Sequence, residues 1–308
     1  MAYITSIHFF LGIFLSLAHA QNLTLAPPST WDTHIHIFDQ ARFPLAADAL
    51  YIPGNYTVDD LRRFDGSMGL GHTVIVQPSV YDYDNACLLD ALTQLGTDYA
   101  RGVVVFDPAN TTSDTLRQWH SLGVRAARFN IVTTNTTLTK EQLNTTLTAY
   151  AQSFRAASLD WAVQVAVQGN VIDMLEYIVP ELGLKVVFDH MGYPGVSDNV
   201  TTITDPYQLQ GFNTLVKLIR QGNTFVKLSA PYRSTDDWRS LDPVVKELLT
   251  VGESKVVFGT DWPHPGFEGL DIRPWIEQVE ELCDGDKDLI QSVFLENSKV
   301  LFDVKSCS

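Results

Sequence analysis

Hydrophobic positions along the chain fall into two alternating patterns. Short β-branched and aromatic runs lie at roughly 31–37, 72–77, 101–106, 124–129, 161–167, 185–189, 223–228 and 255–259. Between them, apolar residues recur at helical spacing over 58–64, 84–95, 171–177, 207–220, 243–250 and 274–283, with an extra helix over 287–301. Thr112-Ser113-Asp114 supplies a cap for a third helix, and Thr139, followed three residues later by Gln142, opens a fourth as a capping box. Strand and helix in strict alternation predict parallel strands joined by helical crossovers. Runs such as Val103-Val104-Val105-Phe106 and Val186-Val187-Phe188 are apolar on both faces, as strands are when helices cover one side and packed side chains fill the other. The fold expected is α/β, a (β/α)8 TIM barrel in a single domain over residues 21–308. An open doubly wound sheet is the alternative, but no glycine-rich phosphate loop follows the first strand.

The first twenty residues stand outside this alternation. Ile7 to Leu17 is apolar and short for a membrane span, and Ala18-His19-Ala20 is a small-x-small cleavage pattern, so residues 1–20 read as a secretory signal peptide, with an uncleaved anchor as the alternative. Six of the twelve asparagines, Asn22, Asn55, Asn110, Asn135, Asn144 and Asn199, begin N-x-[ST] sequons and are candidate glycosylation sites. Together these predict a secreted glycoprotein with no membrane anchor after cleavage. A net charge of -15, with no Lys- or Arg-rich run, argues against nucleic-acid binding and against electrostatic binding to anionic membranes. Three cysteines cannot all pair; a Cys283–Cys307 bridge pinning the tail, with Cys87 free in a helix, is one arrangement.

Charged and imidazole side chains change the picture where they end strands. His34 and His36, two apart in the first strand, point to one face. His190 follows the sixth strand and Asp261 the eighth. In a parallel barrel the C-terminal ends of all strands converge on one mouth, so these four groups are expected to meet there. His72 and His120, near the starts or flanks of elements, are expected to be structural, and Arg125, an odd number of residues from Arg128, to face away from the site.

His34-Ile-His36, His190 and Asp261 in this order resemble the amidohydrolase superfamily. Gly123-Val-Arg-Ala-Ala-Arg128-Phe-Asn130, Phe188-Asp-His190-Met-Gly192, Lys227-Leu-Ser-Ala-Pro-Tyr-Arg233 and Gly259-Thr-Asp261-Trp-Pro-His264 are similar to its branch of 2-pyrone-4,6-dicarboxylate lactonases and sugar lactonases. The resemblance implies a barrel hydrolase acting on the cyclic ester of a small organic acid, pyrone or sugar acid. Asp261 would activate water while His34, His36 and His190 polarise the carbonyl. It further implies substrate contacts from Arg128, Arg233, Tyr51, Ser79 and His264, the guanidinium forks suiting a carboxylate.

Metal-dependent members usually carry a lysine or glutamate on strand four and a histidine on strand five. Here those places hold Arg128-Phe-Asn130 and Val163-Gln-Val-Ala-Val-Gln168, which favours a site without a cofactor; a single zinc on His34, His36 and Asp261 is the alternative. Thr134 stands where the dicarboxylate lactonase has a further arginine, so a substrate with fewer carboxylates is expected. A decarboxylase, or a secreted binding protein on the same scaffold, are the competing functions.

Overall fold

In the computed structural model, residues 25–133, 137–195 and 203–304 are described. The leader at 1–20, together with Asn22, Thr134, Asn135, Asn199 and Cys307, lies outside the described residues. Eight strands run in parallel and in sequence order: β1 (Trp31–Ile35), β2 (His72–Val76), β3 (Ala100–Val104), β4 (Val124–Asn130), β5 (Ala162–Ala166), β6 (Val186–Phe188), β7 (Thr224–Leu228) and β8 (Val256–Phe258). Each of the eight predicted runs becomes one strand of a TIM barrel.

The seam between β8 and β1 is joined just above the strands. Asp261 N–H donates to the His34 carbonyl at 2.8 Å, and His36 N–H donates to the Trp262 carbonyl at 2.8 Å. Lower down, Thr33 Oγ1 donates to the Phe258 carbonyl at 2.6 Å, and Asp32 Oδ1 accepts from Thr260 N–H at 2.9 Å. A Cβ at Gly259 would lie 3.1 Å from the His34 nitrogen, so glycine permits this close approach.

Helices α1 (Val58–Met68), α2 (Ala86–Leu95), α3 (Ser113–Ser121), α4 (Lys140–Ala157), α5 (Gly169–Leu175), α6 (Val179–Leu182), α7 (Phe212–Arg220), α8 (Asp242–Val251), α9 (Arg273–Leu282), α10 (Lys287–Gln291) and α11 (Asn297–Leu301) link or follow the strands. Thr112 caps α3 through Thr115 N–H, and Thr139 with Gln142 forms the expected capping box on α4. A second box, Thr57 with Asp60, opens α1. Where boundaries differ from the sequence pattern, side chains take over backbone partners. β3 stops before residue 105 because Val105 N–H turns to Asn85 Oδ1, and α2 starts at 86 because Ala86 N–H bonds to Asp84 Oδ1. The helix expected over 207–220 begins as a short turn at Pro206–Gln208 and restarts beyond Gly211, whose φ is 79°. The expected helix over 287–301 is interrupted by a π-turn at Ser292–Glu296.

The interior divides into two layers. Val74, Val76, Val103, Ala126, Ala162, Val187, Phe225 and Val257 fill the barrel itself, and Leu301 with Phe302 of the C-terminal segment close its lower end. The larger cluster, including Ile35, Val104, Ala127, Val163 and Phe188, lies between strands and helices. This filled lower half leaves only the upper end for chemistry. No helix among the described residues is long and apolar enough to cross a membrane.

Candidate active site

The strand ends deliver their polar groups to one cup of about 470 Å³. His34 leaves β1 and His36 follows one turn of the pleat later; both imidazoles reach Asp261 Oδ1, His36 Nε2 at 3.4 Å and His34 Nε2 at 3.6 Å. The His34 and His190 rings lie 4.7 Å apart between centroids. His190, Tyr193, Asp261 and His264 all have left-handed backbones, with φ of 50°, 50°, 66° and 63°. The tight turns they make aim side chains that a straight strand would point away.

His36, His190 and Asp261 are each fixed by hydrogen bonds to neighbouring groups. His36 Nδ1 lies 2.7 Å from the Val76 carbonyl, which can only accept, so the proton sits on Nδ1 and neutral His36 turns the Nε2 lone pair toward Asp261. His190 Nδ1 lies 2.7 Å from Ser229 Oγ. Asp261 Oδ2 accepts from Tyr232 OH and from Arg233 Nε, both at 2.7 Å, while Oδ1 has no hydrogen-bond partner among the described residues. The carboxylate is thus anchored by one oxygen and open at the other.

Burial and charge set the protonation states. Burial pushes His34 well below and His36 below the ordinary imidazole range, and pushes His190 and His264 down to about 4, so all four are neutral near pH 7. Burial alone would raise Asp261, but the Arg233 guanidinium bonded to it outweighs burial and holds the carboxyl well below its usual range.

Beneath the cup lies a buried polar layer that sequence reading passed over. Asp189 Oδ1 faces His34 Nδ1 at 3.3 Å, and its other oxygen accepts from Gln164 Nε2 at 3.1 Å and lies 3.5 Å from Arg128 Nη2. Lys227, fully buried, donates to the Thr33 carbonyl at 2.6 Å and to Gln164 Oε1 at 2.7 Å, and lies 3.8 Å from Asp189 Oδ1. Burial lowers the Lys227 ammonium to about 8. The available signal was a lone lysine in the strand Thr-Phe-Val-Lys-Leu and a glutamine in Ala-Val-Gln-Val-Ala, polar residues where a filled barrel otherwise takes apolar ones.

Arg128, Arg233, Tyr51, Ser79, His36, His190 and Asp261 all line the cup, together with Tyr193, which sequence reading did not single out; His34, expected to polarise the carbonyl, is fully buried and does not line it. Arg128 Nη1 donates to the Gln77 carbonyl at 3.0 Å. His264 does not line the cup. It packs edge-on against Tyr232, with its Nδ1 3.5 Å from the Tyr232 hydroxyl, so its place is behind Asp261 rather than on the substrate. Arg125 points away as expected, bonding the His120 and Val124 carbonyls. Of the sequon asparagines that are described, Asn55, Asn110 and Asn144 are exposed. Cys87 is buried in α2 and Cys283 is buried; the partner suggested for Cys283 is outside the described residues.

His34, His36 and Asp261 present one ligand atom each within 4.8 Å of one another, a donor set that fits a single divalent ion. Such an ion supplies Lewis-acid polarisation of an ester carbonyl. The surroundings weigh the other way: Arg128, Arg233 and Lys227 already pair with the carboxylates Asp189 and Asp261.

Comparison with known proteins agrees with the geometry. A 2-pyrone-4,6-dicarboxylate hydrolase from Comamonas testosteroni is 28% identical over 278 residues, covering 83% of this chain and 86% of that protein. A 4-sulfomuconolactone hydrolase from Hydrogenophaga intermedia is 26% identical over 252 residues, covering 80% and 79%. A solved structure from Pseudomonas putida, provisionally designated a 2-pyrone-4,6-dicarboxylic acid hydrolase, superimposes with a TM-score of 0.73 at 26% identity, covering 90% of this chain and 98% of that one. Residues 31–304 match the amidohydrolase family model, and the chain belongs to that family.

Proposed function

We propose that the protein hydrolyses a lactone of a small carboxylated acid, with Asp261 as the base. The observation that carries this is the divided carboxylate: Oδ2 is held by Tyr232 and Arg233, while Oδ1 faces two imidazoles at the floor of a cup. The lactonase names of the relatives support the same reaction class.

In this reading a water donates one hydrogen bond to Asp261 Oδ1 and the other to His36 Nε2, leaving an oxygen lone pair to attack the lactone carbonyl. As the new C–O bond forms, Asp261 takes the water proton. A carboxylate with so low a pKa is a weak base, but it is ionised at every working pH and fixed in direction. Donors on the cup wall, His190 and Arg128, face the developing oxyanion. Collapse breaks the ring C–O bond, and the proton passes from Asp261 to the departing oxygen, giving a ring-opened hydroxy acid. His36 therefore shares in holding the water rather than polarising the carbonyl as the sequence suggested, because its only ring proton is committed to Val76.

The two arginines bind the substrate carboxylate, and the site works without a resident metal because its own cations supply the positive charge. The mature protein acts in the secretory pathway or outside the cell, carrying glycans on exposed sequons. The test is a panel of carboxylated lactones, pyrones and hydroxybenzoates assayed for acid release and carbon dioxide release, before and after chelation, with metal content measured. Carbon dioxide release, or activity that disappears on chelation and returns with zinc, would overturn the corresponding part.

A further inference from the structure

Next to the cup lies a second cavity of about 220 Å³, and the two share Ser79 and Arg128 as a common wall. Its other surfaces are of a different kind. Tyr83, Val105, Phe129 and Tyr150 line it, and the Tyr150 hydroxyl is spent on the Phe106 carbonyl at 3.1 Å, leaving the ring as the exposed feature. A cavity of about 150 Å³ suffices to hold benzene, so one aryl ring fits here.

One polar atom in this wall lacks a partner. Gln77 is fully buried and lines the cavity. Its amide nitrogen donates to the Asp84 carbonyl at 2.8 Å and the Asp82 carbonyl at 3.4 Å, which fixes the amide orientation. Its Oε1 has no hydrogen-bond partner among the described residues. A buried acceptor without a donor is unfavourable until something supplies one, and a hydroxyl on the ligand does so. A second carboxylate is not suited to this place. Arg128, the one cation among the described residues lining this cavity, is shared with the cup and serves the carboxylate bound there, and Asp82 stands on the same wall.

We propose that this side cavity is a substrate subsite for a neutral hydroxyaryl substituent, so that the substrate is a lactone with one carboxylate in the cup and a phenolic arm beside it. The inference rests on the hydrolase reading and narrows its substrate class. The dicarboxylate and sulfonate named for the relatives are compact and more highly charged, and this cavity is shaped for something else.

The test uses the full chain and four γ-lactone carboxylates: the unsubstituted parent and its 4-hydroxyphenyl, phenyl and 4-carboxyphenyl derivatives. The hydroxyphenyl compound is expected to exceed the parent in kcat/KM by about tenfold or more, with phenyl intermediate and carboxyphenyl lowest. Thr146, on α4 at the cavity wall and away from the cup, is replaced in Thr146→Trp to fill the space, and because Thr146 completes the Asn144 sequon the variant is compared with Asn144→Gln, which removes the same sequon without filling the cavity. That variant is expected to lower hydroxyphenyl turnover about tenfold or more while changing the parent less than about twofold. Equal kcat/KM for all four lactones, or a Thr146→Trp effect that is the same on parent and arylated substrate, overturns the subsite. If no lactone is hydrolysed, the hydrolase reading fails by itself, and calorimetric binding of the hydroxyphenyl lactone decides the subsite. Binding abolished by Thr146→Trp supports it, whereas absent binding, or binding unchanged in the variant, overturns it.

Discussion

Histidines at the two ends of the barrel show what distinguishes a working side chain from a packed one. At the lower end, His72 stacks on Trp31 at 4.7 Å and its Nδ1 reaches the Asp98 carbonyl; His120 stacks on Trp161 and accepts its indole N–H at 3.0 Å. At the upper end, His34 is fully buried yet neither ring nitrogen has a well-aligned partner among the described residues, and His36 turns a lone pair toward a carboxylate oxygen. Burial lowers all four imidazoles, so the direction of the shift does not separate the two ends. Unfinished hydrogen bonding does. Here the unsatisfied acceptors face one another beside an open cup, an arrangement that is unfavourable until a water or ligand supplies the donors.

The sharpest test of this contrast is at the converging oxygen. Asp261→Asn keeps the shape of the side chain and removes the base, and kcat is expected to fall by at least about a hundredfold with the circular dichroism spectrum unchanged. Turnover equal to the parent's would remove Asp261 from the mechanism.

The two ends also respond oppositely to pH. At the upper end, His190 and His264 stay neutral to about pH 4 while the unfolded chain protonates its histidines near 6.5, so their contribution is present above pH 6.5 and is lost as pH falls. At the lower end, burial raises Asp65 to about 8 although Tyr99 OH donates to it at 2.6 Å. The folded state keeps that proton while the unfolded state loses it near 3.8, so this contribution is full at low pH and is lost as pH rises toward 8. Asp65→Asn, which retains an acceptor for Tyr99, is expected to stabilise the protein by about 2 kcal/mol at pH 8, with the difference vanishing near pH 4. Urea unfolding at the two pH values measures it; a variant less stable at pH 8 would contradict the assignment of a neutral Asp65.

These contrasts were only partly legible in the sequence. The barrel was, because eight β-branched runs alternate with eight helical segments. His34, His36, His190 and Asp261 were, because each is a polar residue closing or interrupting an apolar run. Asp189 and Lys227 were not. Strands apolar on both faces do not reveal which parity faces the lumen, and a lysine in such a strand looks the same whether it snorkels outward or is fully buried beneath the cup. Tyr232 and Tyr193 were hidden for another reason. Their direction depends on left-handed turns at Ala230 and at Tyr193 itself, conformations that no residue there announces.

Arg128 tests how far the cup's cations serve substrate rather than structure. Its guanidinium lines both cavities and touches Asp189 at 3.5 Å. Arg128→Met is expected to raise KM for a carboxylated lactone about tenfold, with a smaller change for the corresponding methyl ester. Steady-state kinetics on the acid and ester pair separates the roles, since a structural part alone would weaken both equally.

The smallest effect is the one that completes the comparison. His72→Gln at the lower end keeps a donor for the Asp98 carbonyl and loses only part of the stack on Trp31, so a stability change under about 1 kcal/mol and kcat within about twofold of the parent are expected. His36→Gln is the matched change at the mouth. Glutamine also keeps a donor for Val76, yet its one amide cannot reproduce an aromatic nitrogen lone pair aimed at Asp261 Oδ1, so kcat is expected to fall about tenfold or more. The same substitution, at a histidine opening β2 and at one just past the end of β1, therefore isolates the uncommitted nitrogen as the functional element. If both variants lost activity alike, the difference in hydrogen bonding between the two ends would have no bearing on catalysis.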